Sequence, residues 1–181
     1  MTKQLLMLVC TLSAACSTTS LPPARTNAPA NASAPSCAGG VAQNDAELAR
    51  YAGCSAIDGD LLVRDVTSLE SLGALEHMAG RLRIEHTERL YSLAGLERLR
   101  SVRELELRHN DGLISGGALR GLAHAERIEL SDNPRLTRSY GFMQGIERSG
   151  ARLDLSRNTG LTAEGVEEFR SRESATTLAA R

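Results

Sequence analysis

Residues 103–113 read RELELRHNDGL, and the fold prediction starts from this stretch. Leu105 and Leu107 alternate with charged residues, as in a strand that buries one face, and Leu113 follows six residues later, beyond a polar turn. Four other stretches share this spacing: GDLLVRDVTSL (59–69), GRLRIEHTERL (80–90), ERIELSDNPRL (126–136) and ARLDLSRNTGL (151–161). The sequence therefore contains five copies of one pattern, with successive starts 21 to 25 residues apart.

Aligning the five copies gives three columns that are apolar throughout. The columns are Leu61, Leu82, Leu105, Ile128 and Leu153; Val63, Ile84, Leu107, Leu130 and Leu155; and Leu69, Leu90, Leu113, Leu136 and Leu161. One copy cannot cover its own apolar face, whereas stacked copies bury a continuous column of aliphatic side chains. The pattern predicts an α/β solenoid, a short parallel-sheet stack of about five turns.

Residues 99–110 and 122–133 resemble the leucine-rich-repeat consensus. The matching residues are Leu99, Val102, Leu105, Leu107 and Asn110, then Leu122, Ala125, Ile128, Leu130 and Asn133; Leu153, Leu155 and Asn158 continue the pattern. In that family the asparagine hydrogen-bonds the backbone of neighbouring turns, and the resemblance implies this role for Asn110, Asn133 and Asn158.

The first two copies depart from that consensus, because Val66 and Thr87 stand at the asparagine position. Together with Cys37, Cys54 and the stretches IDGDL (57–61) and AGRL (79–82), they are more similar to the receptor L domains of growth-factor receptors and their bacterial relatives. The resemblance covers roughly residues 37–172 and implies a fold. It says little about function, because the family binds proteins, peptides and glycans.

The first fifteen residues have the composition of an export signal: Lys3, an apolar run from Leu5 to Leu12, and small residues up to Ala15. Cys16 follows and resembles the lipidated cysteine of bacterial lipoproteins, although Ser13 stands where their lipobox usually has an aliphatic residue. We expect an exported protein of the bacterial cell envelope, held to the membrane by a lipid such as palmitate on Cys16. The alternative is that Cys16 is only the first mature residue.

Composition predicts the remaining domain boundaries. Residues 16–36 form the anchor and a tether poor in charge, 37–58 an N-terminal cap, 59–172 the solenoid with a C-terminal cap, and 173–181 a tail.

Cys37 and Cys54 should form a disulfide in an oxidising compartment, because the alternative, half of a zinc site, would lack further ligands. Asn44 and Glu47 have capping-box spacing, which predicts a short helix between the cysteines. A last helical segment should follow Thr162.

Composition also excludes several functions. The net charge is −1 and the chain has no tryptophan, which argues against a nucleic-acid partner. Lys3 is the only lysine and would leave with the signal, which removes Schiff-base, P-loop and Ser/Lys chemistry. His77 and His124 are predicted to lie in return segments without a paired nucleophile. We therefore expect no catalytic residue, no cofactor and no enzyme activity.

The outward positions between the buried strand residues offer a candidate binding face. They read Leu62, Arg83, Glu106, Glu129 and Asp154 along the five copies, with Arg108 and Arg127 in the neighbouring columns. Carboxylates on adjacent strands repel one another, a cost that a cation, a basic partner or the nearby arginines would relieve. The face is the predicted surface for a protein or glycan partner. The alternative is a solvated charge network in a passive structural envelope protein.

A second column follows each strand and reads Asp65, His86, His109, Asp132 and Arg157. Two imidazoles flanked by two carboxylates are acceptable ligands for a zinc-like ion. This row, which we call the histidine column, is the candidate metal site of the sequence, and a metal-dependent enzyme using His86 and His109 is the alternative function. The plain interpretation is that these are polar turn residues.

Overall fold

Within residues 35–137 and 140–161, which the computed structural model describes, six β-strands form one parallel sheet in chain order. They are β1 (Ser36–Ala42), β2 (Ala56–Arg64), β3 (His77–Glu85), β4 (Ser101–Arg108), β5 (His124–Ser131) and β6 (Arg152–Ser156). Helices α1 (Asp45–Leu48) and α2 (Tyr140–Ser149) and the 3-10 segments Ala49–Tyr51, Glu70–Leu72 and Gly117–Gly121 lie in the connections. These residues belong to one compact unit of the chain, Ser33–Arg181.

The strand register confirms the first two apolar columns. Leu61, Leu82, Leu105, Ile128 and Leu153 are successive partners across β2–β6, and so are Val63, Ile84, Leu107, Leu130 and Leu155. All are buried up to β5, while the two leucines of β6 are partly buried. Burial of each such side chain contributes roughly 1.5–3 kcal/mol, so the aligned columns are the main source of stability.

Each of β2–β6 is followed by a residue in the left-handed region of backbone space. The five φ values lie between 49° and 55°, at Asp65, His86, His109, Asp132 and Arg157. Such φ values are uncommon outside glycine and are most often adopted by Asn, Asp and His. The predicted histidine column is therefore a row of turn residues that end the strands.

Asparagines follow the last three of these turns and bridge neighbouring strands; Asn110 and Asn133 are buried and Asn158 is half-buried. The side-chain amides of Asn110, Asn133 and Asn158 donate to the carbonyls of Ile84, Leu107 and Leu130 at 3.0, 2.9 and 2.7 Å. Their side-chain oxygens accept from the preceding turns; for example, the Asn133 backbone N–H donates to Asn158 Oδ1 at 3.0 Å. These are the hydrogen bonds that the resemblance implied. Thr87, at the asparagine position of its own copy, takes part in the same set of hydrogen bonds, since its hydroxyl donates to Asn110 Oδ1 at 2.7 Å.

The predicted disulfide and the predicted N-terminal helix are both present. Cys37 and Cys54 are bonded, with Cα atoms 5.9 Å apart. Helix α1 begins after Asn44, whose side chain accepts from the Glu47 backbone N–H at 2.9 Å. The Glu47 carboxylate accepts in turn from the backbone N–H of Gln43 at 2.8 Å. In a standard capping box the Glu47 carboxylate would accept from the backbone N–H of Asn44. Here it accepts from the residue before Asn44, so this hydrogen bond is shifted by one residue.

Two elements differ from expectation. Residues 36–42 form a sixth strand that pairs with β2, although SCAGGVA lacks the alternation of large apolar residues that marks a strand. Helix α2 fills the connection between β5 and β6 and buries Phe142 and Ile146 in the core.

His77 and His124 were predicted in return segments, which is wrong. They are the first residues of β3 and β5, because the strands begin several residues before the apolar alternation does. The predictions for residues 1–34 and for the helix after Thr162 lie outside the described residues. Among the helices that are described, none is long and apolar enough to cross a membrane.

Candidate functional site

The outward side of the sheet carries the predicted face. The register aligns Leu62, Arg83, Glu106, Glu129 and Asp154 across β2–β6. The flanking columns are Arg81, Glu104, Arg127 and Arg152, and Arg64, Glu85, Arg108, Ser131 and Ser156. We call the ionised side chains of these three columns the charged face. It contains all six predicted binding residues: Arg83, Glu106, Arg108, Arg127, Glu129 and Asp154.

Glu106 lies at the centre of the charged face and contacts three arginines. Its Oε2 is 2.5 Å from Arg83 Nε and 3.7 Å from Arg108 Nε, and its Oε1 is 3.1 Å from Arg81 Nε. The Glu106 side chain is 5% exposed. A carboxylate so buried is tolerated only when it is paired, and here the cations come from its own column and from both flanking columns.

Glu129 repeats this arrangement one strand further along. Its carboxylate oxygens lie 2.6 Å from Arg108 Nη2 and 3.0 Å from Arg127 Nη2. Arg127 also reaches Asp154 at 3.7 Å. The repulsion expected between the carboxylates of adjacent strands is thus offset by arginines of the chain itself, so it is no argument for a bound cation.

Two further pairs extend the charged face towards β2. Arg81 Nη2 lies 2.8 Å from Glu104 Oε2, and Arg64 binds Glu85 through Nε and Nη2. The hydrogen bond to Glu104 and the charge of Glu106 raise the pKa of Arg81, and the hydrogen bond to Glu129 raises the pKa of Arg108. Both shifts favour the charged guanidinium, which is already the ordinary state of arginine.

Arginine and glutamate occupy different depths in the charged face. On β2–β5, the side chains of the five arginines of the charged face are 30–50% exposed, whereas those of Glu85, Glu106 and Glu129 are 5–11% exposed. The arginines are Arg64, Arg81, Arg83, Arg108 and Arg127. In the ion pairs of these three glutamates, the arginine is therefore the partner that faces solvent. Arg64 and Arg81 were not among the predicted binding residues; the sequence offered them only as nearby arginines able to neutralise the carboxylates.

The histidine column is brought together only in part. The rings of His86 and His109 stack with centroids 5.1 Å apart and planes 9° from parallel. Asp132 Oδ2 lies 3.7 Å from His109 Nδ1 but 2.9 Å from Arg157 Nη2, so the carboxylate is already paired. Within the described part of the chain, no group of three or more His, Cys, Asp or Glu side chains is placed to hold a metal ion.

Two clefts lie away from the charged face. One, of about 420 Å³, runs along β1 and is lined by residues 37–41, Arg50 and Tyr51. The other, of about 280 Å³, is lined by Asp65, Val66, Thr67, Glu88 and Arg89.

A polar contact that the sequence did not predict joins His77 Nδ1 to Ser101 Oγ at 2.9 Å, where β3 and β4 begin. Among the described residues no carboxylate hydrogen-bonds His77, so the pair lacks the third group of a catalytic triad.

No protein-family model and no curated protein sequence matches the chain. The charged face is therefore interpreted from its own geometry.

Proposed function

We propose that the protein is a non-catalytic lipoprotein of the bacterial cell envelope whose leucine-rich-repeat-like solenoid binds a protein or glycan partner. The observation that carries the proposal is the layer of arginines on β2–β5, held at fixed positions above buried carboxylates. Fixing a guanidinium before binding reduces the entropy lost when it meets a ligand.

The proposed anchor is the lipid on Cys16, with residues 17–36 as a tether. The test is expression of the full chain in a bacterial host with a palmitate analogue that can be labelled. We expect the wild-type chain to carry the label and to sediment with membranes, and Cys16→Ser to lose both properties. Equal labelling of the two chains would contradict the proposed site.

The binding role can be tested on the full chain with two double variants. Arg83→Gln/Arg127→Gln removes two arginines of the charged face, yet Glu106 retains Arg81 and Arg108, and Glu129 retains Arg108. Arg98→Gln/Arg120→Gln removes the same charge from exposed positions outside the sheet. After cross-linking to isolated cell envelopes, we expect the face variant to lose partners that the wild type and the control retain.

Identical partner sets for all three chains would favour a passive structural protein. Reversing the charge of Glu106 or Glu129 is a poorer test, because their side chains are buried beneath arginines and the variants would unfold before they revealed a partner.

A further inference from the structure

We infer that a second copy of this chain pairs with the outer edge of strand β1, so that two sheets join as an antiparallel dimer. The inference goes beyond the proposed binding function, because it uses a different surface from the charged face. It is argued from the open backbone of β1, from the lack of protection along that edge and from the opposite charges at its two ends.

Strand β1 is the first strand of the sheet and pairs with β2 on one side. Among the described residues, no strand pairs with its other side. The cleft of about 420 Å³ runs along β1 and is lined by residues 37–41, Arg50 and Tyr51, without any residue of β2. Unpaired backbone N–H and C=O groups at such an edge are a template for a further strand.

Natural sheets usually protect an exposed edge with charged side chains, proline, a bulge or a very short strand. The seven residues of β1, SCAGGVA, include neither a charge nor a proline. The register shift between β1 and β2 matches residues 38–40 with 58–61, so the extra residue lies in β2 and not in the edge strand. Val41 is 44% exposed and lies beside Leu62. The edge is therefore long, uncharged and partly apolar.

Opposite charges lie at the two ends of β1. At its start, the Ser36 hydroxyl donates to Asp58 Oδ2 at 2.5 Å, which holds this carboxylate against β1. Near its end, Arg50 Nη2 donates to the carbonyl oxygen of Val41 at 3.4 Å and lies 3.8 Å from Glu47 Oε2. Both Arg50 contacts are long, and its side chain is 65% exposed, so the guanidinium can exchange them for a closer anion.

These two charges select a second copy as the occupant of the edge. In an antiparallel pair of identical strands the ends are exchanged, so Arg50 of each copy comes to lie at the Asp58 end of the other. A backbone N–H of the second copy then takes the Val41 carbonyl, and the guanidinium moves to Asp58 of the second copy. Both ion pairs form by symmetry, whereas a peptide with one charge would match only one end. The assembly closes at two copies, because both use the same edge.

The test is sedimentation of the full chain in a mild detergent at rising concentration. We expect the wild type to pass from monomer to dimer. Arg50→Glu and Asp58→Arg each place like charges at both contacts and should weaken the dimer by about tenfold. An equimolar mixture of these two variants restores opposite charges at both contacts, so it should dimerise like the wild type. Circular dichroism and melting curves establish that each variant is folded.

The matched control is Arg120→Glu, which reverses a charge at an exposed position in the connection between β4 and β5. It should dimerise like the wild type. If all variants dimerise alike, or if the mixture fails to restore the dimer, the copies meet at another surface and the inference is wrong.

A wild type that stays monomeric at every concentration would also refute the inference. Hydrogen exchange of the β1 amides then identifies what occupies the edge instead. Protected amides in the monomer would assign the edge to residues 17–34 of the same chain, and unprotected amides would leave it open to a peptide of another protein.

Discussion

A single aliphatic side chain at the centre of the sheet tests the packing. Leu107 is fully buried between Ile84 and Leu130. Leu107→Asp places an unpaired carboxylate in this column, and we expect a loss of about 4 kcal/mol or more in the free energy of unfolding. Leu62→Asp is the matched control, because Leu62 points outward beside Arg83. Denaturant melts of the two variants make the comparison, and equal losses would contradict the assignment of faces.

The buried carboxylate of Glu106 gives a second test at the scale of one residue. Glu106→Gln keeps the shape of the side chain but leaves Arg81, Arg83 and Arg108 without their shared anion. We expect a loss of about 3 kcal/mol in the free energy of unfolding, measured in urea. Asp154→Asn removes a carboxylate that is 56% exposed and should change stability by less than about 0.5 kcal/mol. If both variants melt alike, Glu106 is not the centre of an ordered network.

Helix α1 is held by its buried Leu48 and by the carboxylate of Asp45, and the second of these contacts is sensitive to pH. Asp45 Oδ2 accepts from the Thr67 hydroxyl at 2.6 Å, and its Oδ1 accepts from the Thr67 backbone N–H at 2.9 Å. The hydroxyl bond lowers the pKa of Asp45. Its stabilising effect is therefore present above the ordinary aspartate pKa of about 3.9 and is lost as the pH falls below it.

Asp45→Asn removes this dependence. We expect the variant to melt at a lower temperature than the wild type at pH 7, and the difference to shrink as the pH falls towards 3. The measurement is a series of melting curves between pH 7 and pH 3. A difference that stays constant over this range would show that the carboxylate charge is not what holds α1.

We expect strand β1 to depend on the Cys37–Cys54 disulfide, since it lies at the edge of the sheet and contributes few large side chains. Closing a loop of 17 residues stabilises a fold by about 3 kcal/mol in the chain-entropy model. We expect Cys37→Ser/Cys54→Ser to lose about this much, with hydrogen exchange rising first in β1. A reductant should leave the variant unchanged. Equal exchange across all strands would contradict a local role.

Across the molecule as a whole, the parts of the fold that could be predicted from the sequence are those that repeat. The columns containing Leu105 and Leu107 and the outward position of Glu106 follow from an alternation of two, so their placement could be derived. Strand β1 and helix α2 could not, because neither carries the pattern of the five copies. The difference in exposure between the arginine and glutamate side chains could not be predicted either, because it depends on side-chain length and on pairing across strands.

Chemical footprinting of arginines by phenylglyoxal, with and without isolated cell envelopes, tests most directly whether the charged face binds a partner. We expect Arg64, Arg83 and Arg127 to react more slowly when the full chain is bound to envelopes, while Arg98 and Arg120 react at an unchanged rate. Slower reaction at Arg98 and Arg120 with unchanged rates on the charged face would contradict this binding role.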